Sequence, residues 1–324
     1  GMFLRNAWYV GAWGTEIGRQ KLLRRTLLNE PVVFYRQEDG TPVALEDKCA
    51  HRHAPLSEGK LVGDFIQCPY HGLEYDASGA CVRVPGQSNV PPDCKVRFYP
   101  AVERHQWIWV WMGDPALANP DEIEDFHWMD APGWVAKGER MHLKGNYKLL
   151  IENLLELSHL AYVHATTLGT GAIAEEQMTF ERGERDVSLT RWILDSPVSD
   201  MFQKLGGFEP NEHVDRWQYV TWTPPAFVKL DVGAARANTG AISGDRSQGF
   251  GYRNLNAITP ETDGTSHYFW AQARDFRTDE DWISDLFVQS THEAFSEDLW
   301  IIGLQQENMD TGTTASRIDI NHDG

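Results

Sequence analysis

Over roughly the first third of the chain, apolar residues come in short β-branched and aromatic runs. The runs Pro31-Val32-Val33-Phe34-Tyr35, Pro42-Val43-Ala44-Leu45 and Trp107-Ile108-Trp109-Val110-Trp111 predict strands. Glu38-Asp39-Gly40 and Asp76-Ala77-Ser78-Gly79 supply turn chemistry between such runs. Residues 113–125 are rich in Pro, Gly and acid and read as a linker. An all-β domain is therefore expected over residues 1–115, and a second domain over 116–324.

Past the linker the period changes. Leu149, Leu150, Leu154, Leu157 and Leu160 recur at helical spacing and predict a helix from Asn146 to His164. Strand-like runs follow at Val187–Trp192, Trp217–Trp222 and Ser266–Trp270, with Pro224-Pro225 and Thr259-Pro260-Glu261 marking turns. Trp282, Leu286, Phe295, Leu299 and Ile302 suit one long last helix, from about Asp279 to Gln306, with Thr278 as its N-cap.

A chain of 324 residues can bury two such cores. Its 29 Lys and Arg against 47 Asp and Glu give a formal charge of -18, which repels phosphate backbones and anionic headgroups, so no nucleic acid or membrane partner is expected. No apolar run approaches the ~18 residues that span a bilayer, and no leader-like segment opens the chain; a cytoplasmic protein is expected.

Of the four cysteines, Cys81 and Cys94 lack a His or Cys at ligand spacing and read as packing residues. Cys49-Ala50-His51 and Cys68-Pro69-Tyr70-His71 instead pair a thiol with an imidazole in each of two loops. Two thiolates suit one iron and two imidazoles a second, the arrangement of a Rieske [2Fe-2S] cluster. A structural zinc site is the competing metal reading, weakened by the mixed Cys/His order.

The run Cys49-Ala50-His51-Arg52-His53-Ala54-Pro55-Leu56-Ser57, with Gly59 and Cys68-Pro69-Tyr70-His71-Gly72-Leu73, resembles the fingerprint of ring-hydroxylating and O-demethylating Rieske oxygenases. Respiratory Rieske proteins carry an extra Cys in each loop. Ala54 and Tyr70 stand at those places, so the resemblance is to the soluble oxygenase type.

A cluster alone makes an electron carrier; a catalytic iron needs its own ligands. His159 and His164 could ligate one metal if the helix bends or ends between them, since on an ideal helix they sit ~140° apart. Non-haem Fe(II) oxygenases use two His and one carboxylate on one face of the metal. The resemblance implies that the carboxylate comes from the last helix, where Asp298 is the expected ligand and Glu297 its competitor. It also implies that Glu156, where the family usually has Asp, bridges the iron's His to a Rieske His of a neighbouring subunit; the local alternative is a cap on a solvated face. Asn153 matches a position near the iron in the O-demethylase branch, its local alternative being a bond to helix backbone.

The fold implied is α+β: an all-β Rieske domain followed by a helix-grip, START-like antiparallel-sheet catalytic domain, assembled as a head-to-tail homotrimer. The resemblance further implies a [2Fe-2S] cluster on Cys49, His51, Cys68 and His71, and a mononuclear Fe(II). Electrons would come from NAD(P)H through a separate reductase with a flavin and an iron–sulfur cluster. O2 and a small aromatic would be the substrates, with O-demethylation or hydroxylation of, for example, a methoxylated aromatic acid. Ring dihydroxylation, or electron transfer without catalytic iron, are the alternatives. Asn256 and Arg253 fall where relatives line their pockets; Arg253 could meet a substrate carboxylate or be an exposed strand residue.

Overall fold

Eleven strands precede residue 112: β1 (Trp8–Trp13), β2 (Leu23–Leu27), β3 (Glu30–Arg36), β4 (Pro42–Glu46), β5 (Lys60–Val62), β6 (Phe65–Gln67), β7 (Glu74–Tyr75), β8 (Cys81–Arg83), β9 (Phe98–Tyr99), β10 (Ala101–Arg104) and β11 (Trp107–Trp111). The computed structural model describes residues 3–164, 178–312 and 316–320. The three predicted runs are β3, β4 and β11. Val33, Tyr35, Val43 and Leu45 alternate along β3 and β4 into one core, as the period of two requires. These strands make three sheets, β1-β11-β10, β2-β3-β4-β9 and β5-β6-β7-β8.

This first unit comprises residues 1–125 with Thr259–Asp263. It ends at Asp125 rather than 115 because the Pro- and acid-rich stretch is not a free linker. Asp114 and Asn119 each cap a 3-10 turn begun by a Pro. Trp8 Nε1 then donates to the Asn119 carbonyl at 2.8 Å, and Arg104 to that of Pro120 at 2.8 Å. Thr259-Pro260-Glu261 is likewise strand, not turn. Its Pro260 and Glu261 carbonyls accept the Leu28 and Asn29 N–H groups, both at 2.9 Å.

The second unit, Phe126–Ile258 and Gly264–Gly324, holds β12 (Val135–Leu143), β13 (Met178–Arg182), β14 (Val187–Pro197), β15 (His213–Thr223), β16 (Phe227–Arg236), β18 (Thr265–Arg274) and all of β17 (Gly249–Thr262) except its end from Thr259, which belongs to the first unit. They form one seven-stranded sheet in the order β12-β18-β17-β16-β15-β14-β13. Among the described residues three α-helices belong to it: α1 (Tyr147–Leu155), α2 (Asp200–Gly206) and α3 (Asp281–Asp310). Phe202 of α2, Ile283 and Phe287 of α3, and Val214, Ala234 and Phe250 of the sheet share a core. The sheet is thus covered by helix on the face that carries the cavity described below.

Two helix boundaries differ from expectation. The predicted helix from Asn146 to His164 ends at Leu155, because Glu156 turns extended (φ -111°, ψ 109°) and its carboxylate accepts the Ser158 N–H at 2.5 Å. Ser158–Ala161 then form a separate 3-10 turn. The last helix begins at Asp281 with no side-chain cap, so Thr278 is not its N-cap. Arg274 instead holds the Glu280 carbonyl at 2.9 Å and fixes where the chain enters.

Close sheet packing depends on Gly233 of β16. A Cβ there would lie 2.1 Å from Trp217 Cζ2 and 2.4 Å from the Phe250 carbonyl oxygen. Gly233→Ala should therefore destabilise the chain by about 1–3 kcal/mol, seen as a lowered denaturation midpoint; an unchanged midpoint would mean the sheet yields there freely.

Candidate metal centres and substrate cavity

The two Cys/His loops share one backbone design. In each, the Cys N–H bonds to the carbonyl five residues on (Cys49 to Ala54, 2.9 Å; Cys68 to Leu73, 2.8 Å). In each, the residue four on returns a bond to the Cys carbonyl, from His53 at 2.9 Å and Gly72 at 3.1 Å. Both of those residues have positive φ, 59° and 76°. Gly72 suits that conformation, whereas His53 tolerates it.

This geometry buries both thiols and exposes both imidazoles. Cys49 and Cys68 are each 2% exposed, while His51 and His71 reach the surface with their Nδ1 atoms 3.2 Å apart. Tyr75 accepts the Ala50 N–H at 3.1 Å and places its hydroxyl 3.2 Å from Cys49 Sγ, a contact that would tune a bound cluster. Burial pushes the Cys68 thiol pKa up, with neighbouring Cys49 adding to it, so a cation is needed to favour the thiolates.

A single zinc would draw all four donors to within about 4 Å of one another. His159, His164 and Asp298 bring three such donors within 4.8 Å of one another. The Cys/His donors meet as a thiol pair, Cys49 with Cys68, and an imidazole pair, His51 with His71, which fits the two irons of a [2Fe-2S] cluster. Cys81 is buried in the adjacent core with Cys94 packed against it, and both are free thiols, in keeping with packing roles.

The second centre depends on the early end of α1. Because the helix stops before His159, the two imidazoles are not splayed on one cylinder, and their centroids lie 5.4 Å apart. Asp298, 2% exposed, presents Oδ1 to both Nε2 atoms, at 3.5 Å from His159 and 3.1 Å from His164. Each Nδ1 is engaged elsewhere: His159 with the Glu156 backbone carbonyl, His164 with Glu297 Oε2 at 2.7 Å. Holding Nδ1–H in this way leaves Nε2 as the lone pair facing inward, the usual support for a metal-bound imidazole. Burial works against charge on His164, but Asp298 and then Glu297 outweigh it and raise its pKa above 6.5. The site therefore favours a positive charge at its centre.

The other expected residues fall into place unevenly. Glu297 backs His164 rather than facing Asp298's side, since successive helical residues point ~100° apart. Asn153 donates to Asp298 Oδ1 at 3.1 Å, and its own Oδ1 is buried without a partner among the described residues. The Glu156 carboxylate is engaged by the Ser158 and His159 N–H groups at 2.5 and 3.3 Å. Although burial opposes it, bonds from His159 and Ser158 hold its pKa down to about 2. Within this chain it caps the turn rather than lying on a helical face.

The triad stands at the wall of a 550 Å³ cavity between the sheet and the helices of the second unit, with Leu154, Leu230, Val232, Phe287 and Phe295 among its apolar lining. Neither Arg253 nor Asn256 lines it. Arg253 points to the opposite face of β17, where it pairs with Asp231 at 2.6 Å. Asn256 is fully buried, bonded to Val228, Asn254 and Tyr268. The polar lining comes instead from Arg216, Gln218, Asn254 and Gln272. The signal was parity: Arg216 and Gln218 alternate on β15, as Tyr252 and Asn254 do on β17.

Residues 7–100 match the Rieske [2Fe-2S] domain, and residues 143–324 the vanillate O-demethylase oxygenase C-terminal domain. The chain belongs to the vanillate O-demethylase family of Rieske oxygenases. This Rieske oxygenase is 46% identical, over 93% of its length and 87% of the relative's, to the toluene-4-sulfonate monooxygenase system iron–sulfur subunit of Comamonas testosteroni. It is 39% identical to the dicamba O-demethylase oxygenase component of Stenotrophomonas maltophilia, over 86% of this chain and 80% of that one. The crystal structure of dicamba monooxygenase bound to dicamba superimposes with a TM-score of 0.91 at 34% identity, covering 100% of this chain and 94% of that one. The expected fold, a Rieske domain followed by a mainly antiparallel-sheet domain, is thus the fold of the oxygenase.

If Asn153 steadies Asp298 as a metal ligand, Asn153→Ala should weaken Fe(II) affinity about 10- to 100-fold, measured by anaerobic chelator competition. Unchanged affinity would detach Asn153 from the centre.

Proposed function

We propose that this chain is the oxygenase component of a multicomponent monooxygenase that O-demethylates or hydroxylates a small aromatic substrate, using a Rieske cluster and a mononuclear iron. The observation that carries this reading is the His159–His164–Asp298 triad in the wall of an apolar cavity, on the same chain as the paired Cys/His loops. An electron carrier without catalytic iron would have no use for that triad. The relatives act on toluene-4-sulfonate, vanillate and dicamba, all small aromatics, which supports this substrate class.

Cys49, Cys68, His51 and His71 would hold the cluster, and His159, His164 and Asp298 the iron; when bound, these groups accept electrons and activate O2. The chain's own contributions follow from the geometry. His159, His164 and Asp298 would hold the iron at the cavity wall, where O2 and substrate would meet it. Glu297 and the Glu156 carbonyl fix the imidazole orientations, and Asn153 fixes that of Asp298. Leucine and phenylalanine side chains supply apolar wall for the space where a ring would lie.

We further propose that electrons reach the exposed His51 and His71 edge from an NAD(P)H-dependent reductase with a flavin and an iron–sulfur cluster. A homotrimer would let that edge serve a neighbouring subunit, with the Glu156 carboxylate, 24% exposed, as the receiving contact. Trp300, Ile301 and Leu304 are exposed on α3 and are available to an interface. Among the described residues no helix is long and apolar enough to cross a membrane.

Iron analysis tests the two-centre reading. The loaded chain should bind about three irons, two in the cluster and one beyond it, and Asp298→Ala should lose one iron and all product while keeping the cluster's spectrum. Full turnover by Asp298→Ala would reject this ligand. Glu156→Gln should slow electron transfer in single turnover with substrate affinity unchanged; an unaltered rate would reduce Glu156 to a cap.

A further inference from the structure

The cavity holds an unusual charge. Arg216 of β15 points into it, its guanidinium 4.9 Å over the ring of Phe202. Among the described residues it has no carboxylate within ion-pair distance and no hydrogen-bond acceptor. The cavity's two lining carboxylates do not serve it: Asp298 faces the imidazoles, and Asp200 is exposed in the first turn of α2. A partly buried guanidinium without an anion is costly, and desolvation lowers its pKa from the usual arginine value. Elsewhere in this unit Arg236, Arg246, Arg253 and Arg277 have carboxylate partners, and the buried Arg191 and Arg274 have hydrogen-bond acceptors, so Arg216 differs from them in having neither among the described residues.

Two neutral donors continue from Arg216 across the same face of the sheet. The Tyr252 hydroxyl is near enough to exchange electrostatic influence with Arg216, and burial pushes its pKa up to about 12, so it stays a donor. Asn254 follows two residues along β17, on the same face. It is 4% exposed, lines the cavity, and its Nδ2 has no partner among the described residues. Its orientation is set by a relay: Tyr268 donates to Asn256 Oδ1 at 2.6 Å, and Asn256 Nδ2 donates to Asn254 Oδ1 at 2.7 Å. That relay consumes the acceptor of Asn254 and leaves the donor end unused.

Resting on the oxygenase reading above, we infer that Arg216 is the residue that selects and binds the anionic group, a carboxylate or a sulfonate, of the arene substrate. The planar guanidinium presents paired N–H donors to two oxygens of either group. The ring would then lie over Leu230 and Val232, with Asn254 serving a second polar substituent nearer the triad. Asn256 is in this account a positioning residue that acts through Asn254.

Equilibrium binding to the iron-loaded protein tests this separately from turnover. The probes are 4-methylbenzenesulfonate and 4-methylbenzoate, against their neutral counterparts 4-methylbenzenesulfonamide and 4-methylbenzamide. Arg216→Gln should weaken the anions about 10- to 100-fold and leave the amides within about twofold, which also shows that the pocket is intact; Arg216→Lys should restore part of the loss. Whichever anion loses more identifies the preferred oxyanion. Equal loss for anions and amides, or no loss for either anion, overturns the assignment. If the anions bind through Arg216 but no arene is oxidised with a competent reductase, the anion site stands and the oxygenase reading fails.

Discussion

Asp298 is a carboxylate with 2% exposure, held between two imidazoles and an asparagine amide. Such a charge is tolerable inside a protein only when positive charge and hydrogen bonds surround it. Much of the second unit is arranged to supply them. The long α3 brings Asp298 in from one side, and the break after α1 brings His159 and His164 in from the other. Glu297 and the Glu156 carbonyl then fix the ring faces. A cation held by His159, His164 and Asp298 would complete the balance, on the side of the apolar cavity where substrate and O2 would meet it.

The first unit solves a different electrostatic problem. Its thiols are buried and its imidazoles exposed, so the two halves of the ligand set differ in their environment as well as their chemistry. A matched pair of backbone turns produces this asymmetry, with Cys49 and Cys68 opening each turn and a residue of positive φ closing it. The histidine edge is where an external donor or acceptor would meet the cluster. The thiol edge, screened by Tyr75, faces the core.

Much of this was legible in the sequence because it rests on local pattern. β3, β4 and β11 follow from β-branched and aromatic runs, and the Cys/His loops from spacing. Asp298 came from family resemblance, since no local rule links it to histidines more than 130 positions away. What escaped was governed by tertiary contacts. The helix through His159 ended early because the Glu156 side chain competes for backbone N–H groups beyond it, which helical periodicity cannot register. The acidic stretch before Asp125 looked like a linker until Trp8 and Arg104 bound it. Arg253 and Asn256 were chosen by position along β17, yet one points away from the cavity and the other is spent orienting Asn254. Arg216 was legible only once strand parity showed which face it shared with the triad.

The most direct test of the two-centre account is anomalous diffraction at the iron edge from crystals of the loaded protein. Two adjacent iron peaks between Cys49, Cys68, His51 and His71, and a third peak bound by His159, His164 and Asp298, are predicted. A single metal peak among the four Cys/His donors, or density at the triad with no iron signal, would contradict it.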